Sequence, residues 1–291
     1  MPRAAWPAGA HGPHENQGRI LRWTFSDADL GALIALSGCD VNERLDNQAL
    51  LDALHARPPL SLLAYADRLL LACIADPLQE KSALLSRASA LVEHTRALID
   101  SGAVFSELTT LLVVTALFVE QGVPAGEELR TALAPAVLVW RPHVDKHGEP
   151  ARSVYFYWQQ RAQLGKAFTS SDAPVDDMTA LYHHAHLVFF ASCYGAAPVS
   201  APTSAASTAL LHARAALARL DEPNADCLSE LLLANECVRP VDIAVRAQLT
   251  AALAARQGSD GTLLMPDDAE PEARHHALVV AALALALAGD D

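Results

Sequence analysis

Three histidines interrupt an apolar segment in the second half of the chain, Met178 to Gly195 (MTALYHHAHLVFFASCYG). If this segment is helical, His183 and His186 lie three residues apart and share one face, whereas His184 points elsewhere. Imidazole transfers protons near neutral pH, and its nitrogens also bind zinc or iron. Acid–base chemistry, metal binding and plain core packing of a histidine are therefore the three alternatives for this segment.

Two acidic residues farther along the chain are spaced to work with these histidines. Asp226 and Glu230 lie four residues apart, so a helix places both carboxyl groups on one face. Burial moves the pKa of such groups towards neutrality, as proton transfer at pH 7 requires. An alternative is that Asp226 only caps its helix. The predicted catalytic set comprises Tyr182, His183, His186, Asp226, Glu230 and His276.

A metal-dependent enzyme is a second interpretation of the same residues. His183, His186 and Glu230 are the candidate ligands of a divalent metal. Two histidines three residues apart, with no third ligand at a fixed spacing, give this interpretation little support, so no cofactor is predicted. The sequence also lacks the Asp-rich motifs that bind magnesium diphosphate, and it contains no dinucleotide-binding, phosphate-loop or nucleophile-elbow motif.

A four-residue aromatic run precedes the histidine segment. Tyr155, Phe156, Tyr157 and Trp158 are consecutive and hold a large share of the aromatic side chains. Such rings could wall a cavity for an apolar ligand or stabilise a cation, but ordinary helix packing explains them as well, and we favour packing.

Composition narrows the possible partners. The chain has 291 residues, a formal net charge of -13 and 52% hydrophobic residues. The negative charge argues against binding nucleic acid or anionic lipid. No uncharged run approaches the roughly 20 residues of a membrane span. The first 20 residues are predicted to form a disordered tail and not a secretion signal, which favours a cytoplasmic protein. The expected partner is a small-molecule or peptide-like substrate, and a homodimer is an open alternative to a monomer.

The elements that position these residues are predicted to be helices throughout. Ala and Leu dominate, and the period-two pattern of strands is nearly absent. Twelve helices separated by short breaks are predicted: Ser26 to Ser37, Asn47 to Ala56, Leu60 to Ala75, Gln79 to Ser101, Ser106 to Gln121, Gly126 to Trp140, Ser153 to Leu164, Asp176 to Tyr194, Thr203 to Leu220, Asp226 to Cys237, Val241 to Arg256 and Pro271 to Leu287.

Two types of helix occur in this set. Some are amphipathic, whereas others, such as Ala277 to Leu287, are apolar all round and must be buried on every side. A ring of buried helices inside a ring of amphipathic ones accommodates both types. We therefore predict an all-α fold, an α/α toroid of about six helical hairpins, with residues 21–291 as a single domain.

Two resemblances bear on this prediction. The segment Ala254 to Leu287 resembles the loop-and-helix unit of α/α-toroid proteins of the terpenoid-cyclase and prenyltransferase type, in which a Gln-x-x-Asp-Gly loop leads into an inner helix. The segments His186 to Gly195 and Asp226 to Cys237 are similar to an uncharacterised actinobacterial helical family linked to natural-product biosynthesis. That family has Thr where this chain has Ala185, and Thr-Asp where it has Ser192-Cys193.

These resemblances imply an enzyme, which the residues alone do not identify. We expect a tailoring or cyclase-type enzyme of specialised metabolism that acts on an apolar or peptide-like intermediate through acid–base residues in a central helical cavity. The alternatives are a non-catalytic helical scaffold that binds a peptide or partner protein, and the metal-dependent enzyme described above.

Overall fold

The computed structural model of the chain describes residues 45–57, 59, 61–144, 149–165, 176–200, 205–220 and 223–289. Within these ranges the structure contains twelve α-helices and no strand, which confirms the predicted all-α class. No helix in the described ranges is long and apolar enough to cross a membrane. The predicted N-terminal tail and the predicted helix Ser26 to Ser37 lie outside the described residues.

The helices are numbered here in chain order. They are α1 (Asn47–His55), α2 (Leu62–Ile74), α3 (Lys81–Leu85), α4 (Ala88–Ser101), α5 (Val104–Glu120), α6 (Pro124–Val144), α7 (Glu149–Arg161), α8 (Asp177–Ser192), α9 (Ala205–Leu217), α10 (Ala225–Glu236), α11 (Ile243–Ala254) and α12 (Pro271–Ala288).

Short polar side chains set the starts of five helices. In each case the residue before the helix has an extended backbone, and its side-chain oxygen accepts a hydrogen bond from a backbone N–H of the first turn, which would otherwise have no partner. Asn224, and not Asp226, caps α10, so the capping alternative for Asp226 is wrong. The capping residues are Asp46, Ser61, Asp176, Asn224 and Asp242.

One predicted helix is divided in two. The segment Gln79 to Ser101 forms the short α3 and the longer α4, with a break at Ser86 and Arg87. At this break the backbone N–H of Arg87 donates to the carbonyl of Leu84, only three residues back. The tighter turn interrupts the regular pattern of bonds to the fourth preceding residue, and the chain changes direction.

Six of the helices contact one another in a closed cycle. Helix α2 contacts α5, which contacts α7, then α8, α10 and α12 follow in turn, and α12 contacts α2 again. The other helices pack against members of this cycle: α1 on α12, α3 on α2, α4 and α6 on α5, α9 on α8 and α10, and α11 on α10. Every residue of α10 is buried, as expected for a helix with neighbours on all sides.

Candidate functional site

The six helices of the cycle enclose a cavity of about 150 Å³, and each of them contributes residues to its lining. Most of the lining is apolar. Leu63 lines the cavity and is also 41% exposed, which marks the side where the cavity comes near the surface. The polar residues in the lining are Asp67, Thr109, Thr110, His186, Glu230 and His276.

His276 of α12 links two carboxyl groups from different helices. Its Nδ1 lies 3.1 Å from Oδ2 of Asp67 on α2, and its Nε2 lies 3.2 Å from Oε1 of Glu230 on α10. Because carboxylate oxygens accept hydrogen bonds, both ring nitrogens act as donors and the ring is the doubly protonated imidazolium. A third of the His276 side chain is accessible, and His276 lines the cavity.

The surroundings of His276 stabilise its positive charge. Burial by itself lowers the pKa of this imidazole, but the charges of Asp67 and Asp226 and the hydrogen bonds to Asp67 and Glu230 outweigh it. The net result is a pKa well above the usual value of a histidine. His276 is therefore protonated at neutral pH.

A third carboxyl group, that of Asp226, lies next to the Asp67–His276–Glu230 hydrogen bonds. The Tyr182 hydroxyl donates to Oδ2 of Asp226 over 2.5 Å, and Oδ1 of Asp226 lies 4.0 Å from Nε2 of His276. Burial raises the pKa of Asp226, and the neighbouring charge of Glu230 adds to this effect. Burial and Asp226 together raise the pKa of Tyr182, which keeps its proton and remains a donor.

Two oxygens of this cluster are buried without a hydrogen-bond partner. They are Oδ1 of Asp226 and Oε2 of Glu230, on neighbouring turns of one helix face. The other oxygen of each carboxyl group has a partner: Oδ2 of Asp226 accepts a hydrogen bond from Tyr182, and Oε1 of Glu230 accepts one from His276. An unsatisfied buried carboxylate oxygen is costly, and a carboxylic acid proton on Asp226 lowers this cost by removing one of two adjacent negative charges.

His186 and His183, which the sequence pairs on one face, have different surroundings. His186 lines the cavity, and its Nδ1–H donates to the Tyr182 carbonyl over 2.7 Å, so Nε2 is the acceptor nitrogen of the neutral ring. His183 is buried outside the cavity lining, with its ring centroid 5.1 Å from that of His184. The structure thus brings Tyr182, Asp226, Glu230 and His276 together, places His186 at the same cavity, and leaves His183 apart.

Asp67 is the site residue that the sequence analysis missed. It is the one carboxylate in the largely apolar helix α2, on the cavity side, and it faces a histidine more than 200 positions away in the chain. A single acidic residue in a buried helix is a usable signal, because such a residue needs a partner.

Aromatic side chains form one wall of the cavity. Trp158, Phe189 and Tyr194 all line it. The rings of Trp158 and Tyr194 are stacked with centroids 5.6 Å apart, and that of Phe189 lies 5.3 Å from Tyr194. Tyr155, Phe156 and Trp158 are all buried in the core, as the packing interpretation predicts, and Trp158 lines the cavity as well.

No group of three or more potential ligands is arranged to hold a metal in the part of the chain that the structure describes. His183, His186 and Glu230, the ligand candidates of the sequence analysis, do not converge there. The metal-dependent alternative gains no support from the geometry.

Comparison with known proteins gives one partial match. Residues 162–286 match the model of a domain of unknown function, DUF6895. This range contains Tyr182, His186, Asp226, Glu230 and His276, and Asp67 lies before it. No curated protein and no solved structure matches the chain.

Proposed function

We propose that the central cavity is the active site of an enzyme that moves protons within a small, largely apolar substrate. The chain of hydrogen bonds from Asp67 through His276 to Glu230, set in the wall of an apolar cavity, is the observation that carries this proposal. Charged groups are costly in such surroundings, and their clustering in a cavity is typical of catalytic sites.

The reaction class that suits the site is an isomerisation. Asp67 lines the cavity and removes a proton from one position of the substrate, and the same carboxyl group returns that proton to a second position, which restores the starting state of the protein. His276, whose two N–H groups are hydrogen-bonded to Asp67 and Glu230, holds the Asp67 carboxyl group in position. Glu230 is a positioning residue that orients the imidazole ring.

The size of the cavity restricts the substrate. A cavity of about 150 Å³ accepts a group of roughly benzene size. Only one terminal group or one side chain of a peptide-like intermediate would therefore fit into the cavity. A role in specialised metabolism in the cytoplasm agrees with this size but rests on the resemblance described above.

We also propose that the cycle of six helices is the inner ring of an α/α toroid. The support is the closed order of contacts, the packing of the other helices against that cycle, and the contribution of all six helices to one cavity. This arrangement favours a catalytic cavity over the scaffold alternative, which would bind its partner on an outer groove.

The proposal is tested by replacing Asp67 with Asn in the source organism and comparing small-molecule extracts with those of the parent strain. The substitution preserves shape and removes the base, so we expect at least one product to fall by about 100-fold or more and its precursor to accumulate. The matched control is Asp100→Asn, the same change at an exposed position of α4. Unchanged extracts at an unchanged protein level would refute the catalytic proposal and leave the scaffold.

A further inference from the structure

We infer that the cavity takes a small organic cation, a protonated amine on an apolar body of about benzene size. This inference rests on the proposed function, because it assumes that the cavity is the substrate site. The charge balance at the polar end of the cavity and the aromatic rings in its wall indicate this substrate class.

The polar end of the cavity carries more negative than positive charge. Asp67 and Glu230 accept hydrogen bonds from one imidazolium between them, so two carboxylates face a single positive charge. Asp226 adds a further carboxyl group 4.0 Å from that ring. With Asp226 and His186 both neutral, these side chains sum to one uncompensated negative charge.

Nearby cations of the described residues have carboxylate partners of their own. Arg68, on the helix that carries Asp67, is paired with Glu80. Arg161, whose guanidinium lies 4.9 Å from the centroid of the Trp158 ring, is paired with Glu120. An uncompensated charge in an enclosed, mostly apolar site is costly, and a bound cation removes that cost.

The unpartnered oxygen of Glu230 is a second, independent sign that the site lacks a positive group. The Glu230 side chain is only 1% accessible, yet its Oε2 has no hydrogen-bond partner. A native protein rarely leaves a buried carboxylate oxygen unsatisfied without a functional reason.

The aromatic wall suits the same ligand. The rings of Trp158, Phe189 and Tyr194 line the cavity, and aromatic rings attract cations most strongly where water is excluded. They also pack well against an apolar body. A carboxylate at one end and aromatic rings at the side are the features that recognise an alkyl- or arylalkylammonium ion.

Three probes of similar size and different charge test the inference by calorimetry at pH 7. They are benzylamine, which is a cation, benzyl alcohol, which is neutral, and benzoate, which is an anion. We expect benzylamine to bind at least about ten-fold more tightly than benzyl alcohol, and benzoate not to bind. Equal binding of the alcohol, preferential binding of benzoate, or no binding of benzylamine would overturn the inference.

Two variants locate the binding. Asp67→Asn removes the uncompensated charge, so the preference for benzylamine over benzyl alcohol should fall by about ten-fold or more, while Asp100→Asn should keep it. Val280→Phe fills the cavity that Val280 lines and should abolish binding of every probe. Benzylamine that still binds the Val280→Phe variant, with folding shown by circular dichroism, would place the site elsewhere and overturn the inference.

The two proposals fail in different experiments. If the extracts change in the Asp67→Asn strain but the probes show no preference for a cation, the active-site proposal stands and the substrate class is wrong. If the probes bind as expected but the extracts do not change, the cavity binds an amine without transforming it.

Discussion

His276 is the residue on which the site depends, because its ring nitrogens hydrogen-bond to both Asp67 and Glu230. Its two N–H groups hold α2 and α10 to α12, so the same hydrogen bonds that set its charge also fix its position. A charge held by partners on two helices is more restrained than one on a surface ion pair, which has little effect on stability.

The protonation of His276 gives the first prediction at this scale. In NMR titrations its ring should remain protonated well above pH 6.5, and in the Asp67→Asn variant its pKa should fall. Because the folded pKa is raised, the resulting stability is fully present below about pH 6.5 and is lost as pH rises through the folded pKa. A ring that titrates near pH 6.5 in the unmodified protein would contradict the assigned hydrogen bonds.

His184 should make the stability of the protein depend on pH in the opposite sense to His276. It is half-buried, with its ring centroid 4.8 Å from that of His212, and burial, with the charges of His183 and His212, lowers its pKa to about 4. Below about pH 6.5 this histidine is therefore protonated in the unfolded chain but not in the folded one. The free energy of unfolding falls as pH decreases from about 6.5 to about 4.

The measurement is thermal unfolding at a series of pH values in that range. His184→Gln should flatten the acid side of the profile. The exposed residue His94 on α4 provides the control, since His94→Gln should leave the slope as it is. An equal effect of the two variants would show that the burial of His184 is not the cause of the loss of stability at acid pH.

At the scale of elements, the loop between α11 and α12 fixes the position of α1. Gln257 accepts a hydrogen bond from the backbone N–H of Asp46 and donates one to its carbonyl, while Oδ1 of Asp260 accepts from both the backbone and the hydroxyl of Thr262. Gly261 lies against the backbone of Ala49. The Gln-x-x-Asp-Gly sequence therefore has a structural role in this chain.

Gly261→Ala should be strongly destabilising. Gly261 has φ of +77°, and an added Cβ would lie 2.0 Å from the carbonyl oxygen of Ala49, so the backbone must move. We expect the free energy of unfolding to fall by about 3 kcal/mol. Gly102→Ala is the matched control, because Gly102 has φ of +74° but open space around it, and should cost only about 1 kcal/mol. Urea unfolding measures both, and equal losses would contradict the docking of this loop.

At the scale of the whole molecule, the cavity exists only when both halves of the chain are present. Helices α8, α10 and α12 lie within the range that matches DUF6895, apart from the last residues of α12, whereas α2, α5 and α7 precede it. All six contribute to the lining. The matched range thus contains most of the site residues but only half of the helices that enclose them.

Residues 162–286 expressed alone should therefore fail to form a packed structure. The faces of α8 and α12 that contact α7, α1 and α2 would be exposed to water, and a large apolar surface in contact with water opposes folding. We expect helical far-UV circular dichroism without a cooperative thermal transition, with the full chain as the control. A cooperative transition in the fragment would show that this range is an independent domain.

The sequence by itself was sufficient for the local features. The all-helical class, most helix bounds and the buried character of α12 follow from hydrogen bonds and hydropathy periods within a few residues. Asp226 and Glu230 were recognised as candidates because a spacing of four residues places both carboxyl groups on one helix face, and His276 because it lies near the start of a predicted inner helix. Periodicity could not place the break between α3 and α4, since that break depends on a single tightened turn.

Only the tertiary structure decided which of these groups meet. The contact of His276 with Asp67, the separation of His183 from the cavity, and the aromatic wall containing Trp158 all depend on how six helices pack against one another. Residues three or four apart share a helix face by local geometry, but which face meets which neighbour is determined by the packing of side chains from distant parts of the chain. The charge balance of the cavity, and with it the substrate class we infer, is therefore a property of the packed ring and not of any one helix.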